Sequence, residues 1–517
     1  MHRITKHLRL WCIAAVVAIW CGAPCDASMP PAASEGQPNV VIILADDLGY
    51  GDLGCYGAKQ VKTPNIDQLA RAGRSFVDAH SPSSVCTPSR YALLTGQYAW
   101  RHRPASGILQ GNAPLSIPLD RMTLARLFRE AGYTTGAVGK WHLGLGKTEP
   151  DFNQEIRPGP LEIGFDYFFG FAATGDRTPC VFIENHRVVG AETADPIRVS
   201  YKTPLREEPI GREHPELLKV KPSHGHSDTI INGISRIGYM AGGHKARWRD
   251  EDMADVLTHK AVEFIERSPK RPFFLYFATH DIHVPRVPNS RFAGRSPHGT
   301  RGDVIQEFDW SVGEILDTLN RLKLADNTLV IVTSDNGGVM DDGYQDGSAH
   351  DTSGHQCNGR LRGYKGGLFE GGHRVPFVAR WKGHIPAGVS DQLICHVDLL
   401  ATCADLLGRP LKPAAALDSV DVLPALLGKT RTPIRHDLVH HTGGFPGRLA
   451  IRSGSWKLIP AARPAESGRP RGGPLLFNLA ADPQEARDLS AVHPEKVREL
   501  ATLLQKVREA KRSPAGE

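Results

Sequence analysis

Three unbroken apolar stretches leave this 517-residue chain few ways to fold. Val40-Val41-Ile42-Ile43-Leu44-Ala45 runs into Asp46-Asp47, Phe273-Phe274-Leu275-Tyr276-Phe277-Ala278 into Thr279-His280-Asp281, and Leu329-Val330-Ile331-Val332-Thr333 into Ser334-Asp335-Asn336. A strand that is apolar at every position has both faces covered, the condition of a parallel sheet between helical layers. Between the second and third stretches, Val304, Phe308, Ile315, Leu319 and Leu322 recur at helical spacing, so the segment reads strand, helix, strand. The expected fold is α/β, a large mostly parallel sheet flanked by helices. In open α/β sheets, ligands gather beyond the carboxyl ends of the strands. That rule puts Asp46, Asp47, His280, Asp335 and Asn336 in one crevice, although 289 positions separate Asp46 from Asp335.

Residues 1–27 read as an export signal. His2, Arg3, Lys6 and Arg9 precede an apolar run from Leu10 to Ala23, and Cys25-Asp26-Ala27 offers a cleavage site. A short Pro/Ala/Ser-rich linker, 28–38, follows. Nothing later approaches the ~18 apolar residues that a membrane span needs, so the expectation is a secreted or periplasmic protein without stable membrane insertion. The catalytic domain is expected over 39–420. The C-terminal subdomain, 421–517, should contain a hairpin (449–452 and 456–459), a further strand at 475–479 and a closing helix with Val497, Leu500 and Leu504. Residues 185–250 read as a His-rich insertion of loops, and 339–364 as a long Gly/Asp/His loop near the site. A 40% hydrophobic content supports a sizeable core, and a net charge of +6 without a dense basic run gives a nucleic-acid partner no support. The six cysteines after the signal form no CxxC pair, which argues against a zinc cage.

Cys86-Thr87-Pro88-Ser89-Arg90 precedes Tyr91-Ala92-Leu93-Leu94-Thr95-Gly96, where a helix is expected to start. A helix N-terminus favours anions and thiolates, and Arg90 adds a guanidinium fork suited to a tetrahedral oxyanion. The same pattern also suits a small buried cysteine beside a helix start. Asp46, Asp47, Asp335 and Asn336 offer only oxygen, the ligand set of Ca²⁺ or Mg²⁺ rather than Zn²⁺; Asp46-Asp47 alone would equally serve as a strand-end turn or cap.

The Cys86–Gly96 stretch resembles the first signature of the type I, formylglycine-dependent sulfatases (arylsulfatase-like members of the alkaline phosphatase superfamily), C-x-P-S-R-x-x-L-L-T-G, at every fixed position. Gly132-Tyr133-Thr134-Thr135 with Gly139-Lys140-Trp141-His142-Leu143-Gly144 resembles the second. Asp46-Asp47, Asp335-Asn336-Gly337 and Lys365-Gly366 before Glu370-Gly371-Gly372 follow the family order. The resemblance implies an alkaline-phosphatase-like fold and oxidation of Cys86 to formylglycine by a maturation enzyme. The aldehyde hydrate would attack sulfur, the alcohol would leave, and the second hydroxyl would expel sulfate. It also implies Ca²⁺ held by Asp46, Asp47, residue 86, Asp335 and Asn336. Arg90, Lys140 and Lys365 would surround the sulfate, with His142 as a base for sulfate release and His280 as general acid. His283 is assigned to the substrate rim. In place of the serine that many family members carry after Gly164-Phe165-Asp166, the nearest hydroxyl is Thr174. Arg177, His186, Asp341, Asp342, His350 and Arg362 lie in loops that could line a sugar subsite, with His186 presented by a hairpin.

The leading expectation is therefore an exported sulfatase acting on a sulfated carbohydrate, with a galactose-configured unit as the favoured substrate. The alternatives are a phosphomonoester or phosphonate hydrolase of the same superfamily, and a non-catalytic glycan-binding pseudoenzyme; the second fits poorly with intact nucleophile, metal and cation positions.

Overall fold

The computed structural model describes residues 37–268, 271–351, 353–412, 414–445, 447–461 and 472–510; the expected signal and nearly all of the linker lie outside them. Asn39–Ala45 is the central strand of a ten-stranded sheet and is buried along its whole length. It pairs in parallel with Phe273–Ala278 on one side and Thr328–Ser334 on the other. Thr134–Lys140 and Tyr167–Phe171 extend the parallel array beyond Phe273–Ala278. The other flank switches direction: Phe377–Arg380 pairs antiparallel with Thr328–Ser334. The sheet is thus mixed but mostly parallel, as the apolar stretches require.

Helices cover both faces of these strands, which is why no position in them needs to be polar. Gly299–Arg321 buries Val304, Phe308, Ile315 and Leu319, the stripe expected from the sequence, and packs against Met253–Glu266. Each fully buried Val, Leu or Ile contributes about 1.5–3 kcal/mol, so a polar substitution within the central strand would cost more than any surface contact could offset. Gly139 lets two strands close tightly: its φ is +106°, and a Cβ there would sit 1.8 Å from the Ala278 carbonyl oxygen.

The C-terminal sheet is an antiparallel meander of Asp437–His441, Leu449–Ser453, Trp456–Ile459 and Leu475–Asn478. Leu458 and Leu476 join the cluster containing Leu500, Leu504 and Val507 of the helix Pro494–Glu509, whereas Ile459 and Phe477 join Leu368 on the other face. This period-two alternation is what a sheet between two different partners demands. The expected hairpin, further strand and closing helix are all present, and Asp437–His441 is an additional strand. The 185–250 insertion is not purely loops: Arg198–Ser200 pairs with Tyr239–Ala241, and Ile230–Ile231 with Ile234–Ser235. The thiols of Cys55, Cys86, Cys180, Cys357, Cys395 and Cys403 are all free. No helix among the described residues is long and apolar enough to cross a membrane.

Candidate active site

The parallel register aligns the strand ends. Ala45 lies opposite Ser334, Leu44 opposite Ala278, and Ala278 opposite Gly139, so the residues that follow these strands emerge along one edge. There Asn336 Nδ2 donates to Asp47 Oδ1 at 2.7 Å, and the Asp47 amide donates to Asp335 Oδ1 at 3.3 Å. Asp46, Asp47, Asp335 and Asn336 are all buried to 0% exposure. Burial, reinforced by Asp335 and Asp47, raises the Asp46 pKa well above the usual carboxylate range despite Lys140. For Asp47 burial acts in the same direction, but Lys365 and Lys140 overcome it and hold the pKa low.

Cys86 begins a ten-residue helix, Cys86–Thr95, that is buried throughout. One turn on, Arg90 donates through Nε to Asp335 Oδ2 at 2.9 Å and through Nη1 to the Lys140 carbonyl at 3.1 Å. The nucleophile candidate is therefore fixed to the same carboxylate that belongs to the acidic cluster. Burial raises the thiol pKa, opposed by Lys140 and Lys365, with Asp335 and Asp46 close enough to add to it. Lys140 Nζ donates to Asp46 Oδ2 at 2.5 Å, and Lys365 Nζ to Asp47 Oδ2 at 2.9 Å and Asp342 Oδ2 at 2.7 Å. Side chains nearly three hundred positions apart thus converge beside residue 86.

The histidines sort by their second nitrogen. His142 Nε2 lies 2.9 Å from the Leu109 carbonyl and must carry the proton that bonds it, leaving Nδ1 as a buried lone pair with no hydrogen-bond partner among the described residues. Burial and then Lys140 and Arg177 push its pKa well down, so the ring is neutral. His283 commits Nδ1 to the Val284 carbonyl at 2.7 Å and turns Nε2 toward Asp342 Oδ2 at 3.5 Å and Asp47 Oδ2 at 3.8 Å. His280 turns Nε2 to the Pro285 carbonyl at 3.3 Å, and burial lowers its pKa to about 4. The rim assignment of His283 is corrected by this geometry: the residue is 3% exposed and nearer the carboxylates. Two histidines three residues apart in a turn have no periodicity to tell which faces inward. Gly175 makes room for His280, since a Cβ there would meet the ring at 2.4 Å.

Thr174 is buried beyond the Tyr167–Phe171 strand, where its hydroxyl accepts from Arg177 Nη1 at 2.8 Å. Arg177 also pairs with Asp176 at 3.1 Å. His186 is not brought to this edge. It follows Ile183–Glu184, which runs antiparallel to Tyr167–Phe171 and carries the chain back toward the opposite end of the sheet, where His186 bonds Glu162 at 3.0 Å. Sequence reasoning missed Asp176 and His226, joined at 2.7 Å behind Arg177; His226 comes from the 185–250 insertion, whose composition alone marked it. Asp342 was named only as a possible sugar contact and instead joins Lys365 and His283. Arg362 faces the C-terminal sheet, donating to the Glu485 carbonyl at 2.8 Å.

The cluster fits a hard divalent cation. Asp46 Oδ1 and Asn336 Oδ1 are buried acceptors without a hydrogen bond among the described residues; Arg90 Nη2 lies 3.7 Å from Asp46 Oδ1. Unmet buried acceptors are costly unless a ligand satisfies them. Asp46, Asp47 and His283 present ligand atoms within 4.8 Å of one another, and the set is dominated by oxygen.

A family model described as sulfatase matches residues 38–409. An N-acetylgalactosamine-6-O-sulfatase of Bacteroides thetaiotaomicron is 50% identical over 91% of this chain and 93% of its own length. Human arylsulfatase A is 35% identical over 87% of this chain and 83% of its own. A solved structure described under the metabolism of multiple glycosaminoglycans by Bacteroides thetaiotaomicron superposes with a TM-score of 0.88 at 49% identity, covering 92% of this chain and 100% of that one.

Proposed function

The chain belongs to the sulfatase family of sulfuric ester hydrolases, and on that premise we propose that it removes a 6-sulfate from a galactose-configured glycan unit outside the cytoplasm. The observation that carries the reading is the meeting of Asp46, Asp47, Asp335 and Asn336, with two unmet acceptor oxygens, beside Cys86. The 50% identical relative, named for N-acetylgalactosamine 6-sulfate, supports the substrate class. The apolar leader of residues 10–23 supports export.

Asp46, Asp47, Asp335 and Asn336 would hold Ca²⁺, with His283 at their margin; the ion supplies a fixed positive charge against the sulfate and the nucleophile. Oxidised to formylglycine, residue 86 would supply an aldehyde hydrate as the nucleophile. Arg90, clamped by Asp335, and Lys140 and Lys365, clamped by Asp46 and Asp47, present preorganised cations to the sulfate oxygens without reorganising when charge develops. His142 offers an unprotonated Nδ1 and can accept a proton there. His283 rather than His280 has its free nitrogen toward the carboxylates, and we assign it to the leaving-group side. Burial of residue 86 to 1% exposure limits competing water.

Mass spectrometry of the residue-86 peptide tests the nucleophile, since conversion to the aldehyde lowers its mass by about 18 Da. Sulfated galactose and N-acetylgalactosamine standards, each with the 4- or the 6-ester, test the substrate. Full activity with an unconverted thiol would end the formylglycine assignment, and faster turnover of a matched phosphate ester would favour the phosphohydrolase reading.

A further inference from the structure

A second buried polar cluster lies where the C-terminal sheet meets the catalytic domain. His80, Glu370, His373 and His440 place ligand atoms within 4.8 Å of one another, all buried. The group looks like a metal site by residue type, but Lys457 takes the cation's place. Its Nζ lies 2.9 Å from Glu370 Oε1, 2.9 Å from Glu485 Oε1 and 3.1 Å from His373 Nε2. The contacts form a chain: His80 Nε2 meets Asp78 at 2.9 Å, His80 Nδ1 meets His373 Nδ1 at 3.1 Å, and His373 Nε2 lies between Lys457 Nζ at 3.1 Å and the Leu368 carbonyl at 3.2 Å. Arg452 closes the far end on Asp78 at 2.7 Å.

This chain ties together three segments that bear on the active site. The Ser81 amide donates to the His373 carbonyl at 2.8 Å. The Ser83 hydroxyl and the Ser84 amide both donate to the His441 carbonyl, at 2.8 and 2.9 Å. The Gly366 amide, next to Lys365, donates to the Ser84 carbonyl at 2.8 Å. The stretch leading into Cys86 and the loop carrying Lys365 therefore both hang from the C-terminal sheet. The Glu370 amide, donating to Glu485 Oε2 at 2.6 Å, anchors that loop from its other end.

We propose that Lys457 is a positioning residue for sulfate-ester cleavage, with Ser83 as its relay: it sets residue 86 and Lys365 in register by locking the C-terminal sheet to both. The inference rests on the sulfatase reading above. A misplacement of about 1 Å between reacting groups costs up to roughly 10²-fold in rate with little effect on substrate capture.

The test compares wild type, Lys457→Met, Lys457→Arg and Ser83→Ala on N-acetylgalactosamine 6-sulfate, with kcat normalised to the converted fraction of residue 86. Lys457→Met should lower kcat about tenfold or more with KM within about twofold, and Lys457→Arg should recover part of the loss. Combined with Lys365→Ala, Lys457→Met should cost less than the product of the single losses, because both act on one contact. Multiplying losses, or an unchanged kcat in folded Lys457→Met, would overturn the proposal. Should Lys457→Met fail to fold, Ser83→Ala decides: a several-fold kcat loss at constant KM supports the clamp, and unchanged kcat overturns it. Wild type without turnover of any sulfate ester would remove the sulfatase reading and the clamp with it, whereas an active wild type with unmoved variants removes the clamp alone.

Discussion

The catalytic edge and the joint beneath the C-terminal sheet are made of the same materials and do different work. At the edge, Asp46, Asp47 and Asp335 face Arg90, Lys140 and Lys365. At the joint, Asp78, Glu370 and Glu485 face Arg452, Arg374 and Lys457. The edge leaves acceptor oxygens unmet on Asp46 and Asn336, and its residues stand at the ends of adjacent strands of one sheet. The joint gives each carboxylate a cation and draws its residues from two sheets. Buried charge alone therefore does not mark a site; open acceptors gathered among oxygen donors on a rigid frame do, whereas Glu485 Oε1 at the joint, also without a hydrogen bond, lies against the Lys457 ammonium at 2.9 Å. Where a lysine closes the set, the cluster fastens rather than binds.

The largest effect should separate the two regions outright. Cys86→Ala should reduce turnover of sulfated N-acetylgalactosamine at least about a thousand-fold, while denaturant unfolding shifts by no more than about 1 kcal/mol. Appreciable residual turnover would dissolve the distinction at the edge. Lys457→Met should instead combine its smaller loss of kcat with a destabilisation of roughly 3–5 kcal/mol, because Glu370 and Glu485 are left buried without their ammonium. A urea-midpoint shift worth less than about 1 kcal/mol would show that the joint holds nothing. Ca²⁺ at about a hundred times its Kd should stabilise the wild type by about 2.7 kcal/mol. That gain should shrink in Asn336→Ala and disappear on chelation; an equal thermal shift in wild type and variant would take Asn336 out of the metal set.

The smallest effect concerns pH. Burial holds His441, in the strand that supports Ser83, at about 4, and His396, bonded to Thr333, at about 3. Both values are depressed, so the unfolded chain binds these protons first. The stabilisation is complete above about pH 6.5 and declines as pH falls through 6.5 toward 4 and 3. At pH 5.5 each imidazole should cost roughly 1.4 kcal/mol relative to neutral pH. An NMR titration that put either ring's midpoint near 6.5 in the folded protein would contradict its burial.

Much of the edge was legible in the sequence because its signals are local. Val40–Ala45 and Leu329–Thr333 are too uniformly apolar for anything but doubly covered strands, and the acids that follow them inherit a shared edge from parallel pairing. His283 and His186 were misplaced for one reason: which way a side chain points within a turn or hairpin depends on contacts with Asp342 and Glu162 that no short window contains. The joint went unseen. His80, His373, His440 and Lys457 are scattered over nearly four hundred positions and share no period or motif.

Short-range order in the chain was thus enough to settle which strands are buried, which residues stand at their ends and which thiol heads a helix, since each depends on a window of a few residues and on the burial of apolar surface. Which imidazole turns inward, which acid meets Lys365 and which lysine closes a histidine cluster depended on folding, because hydrogen bonds and ion pairs act over about 3 Å and only packing brings such distant residues that close.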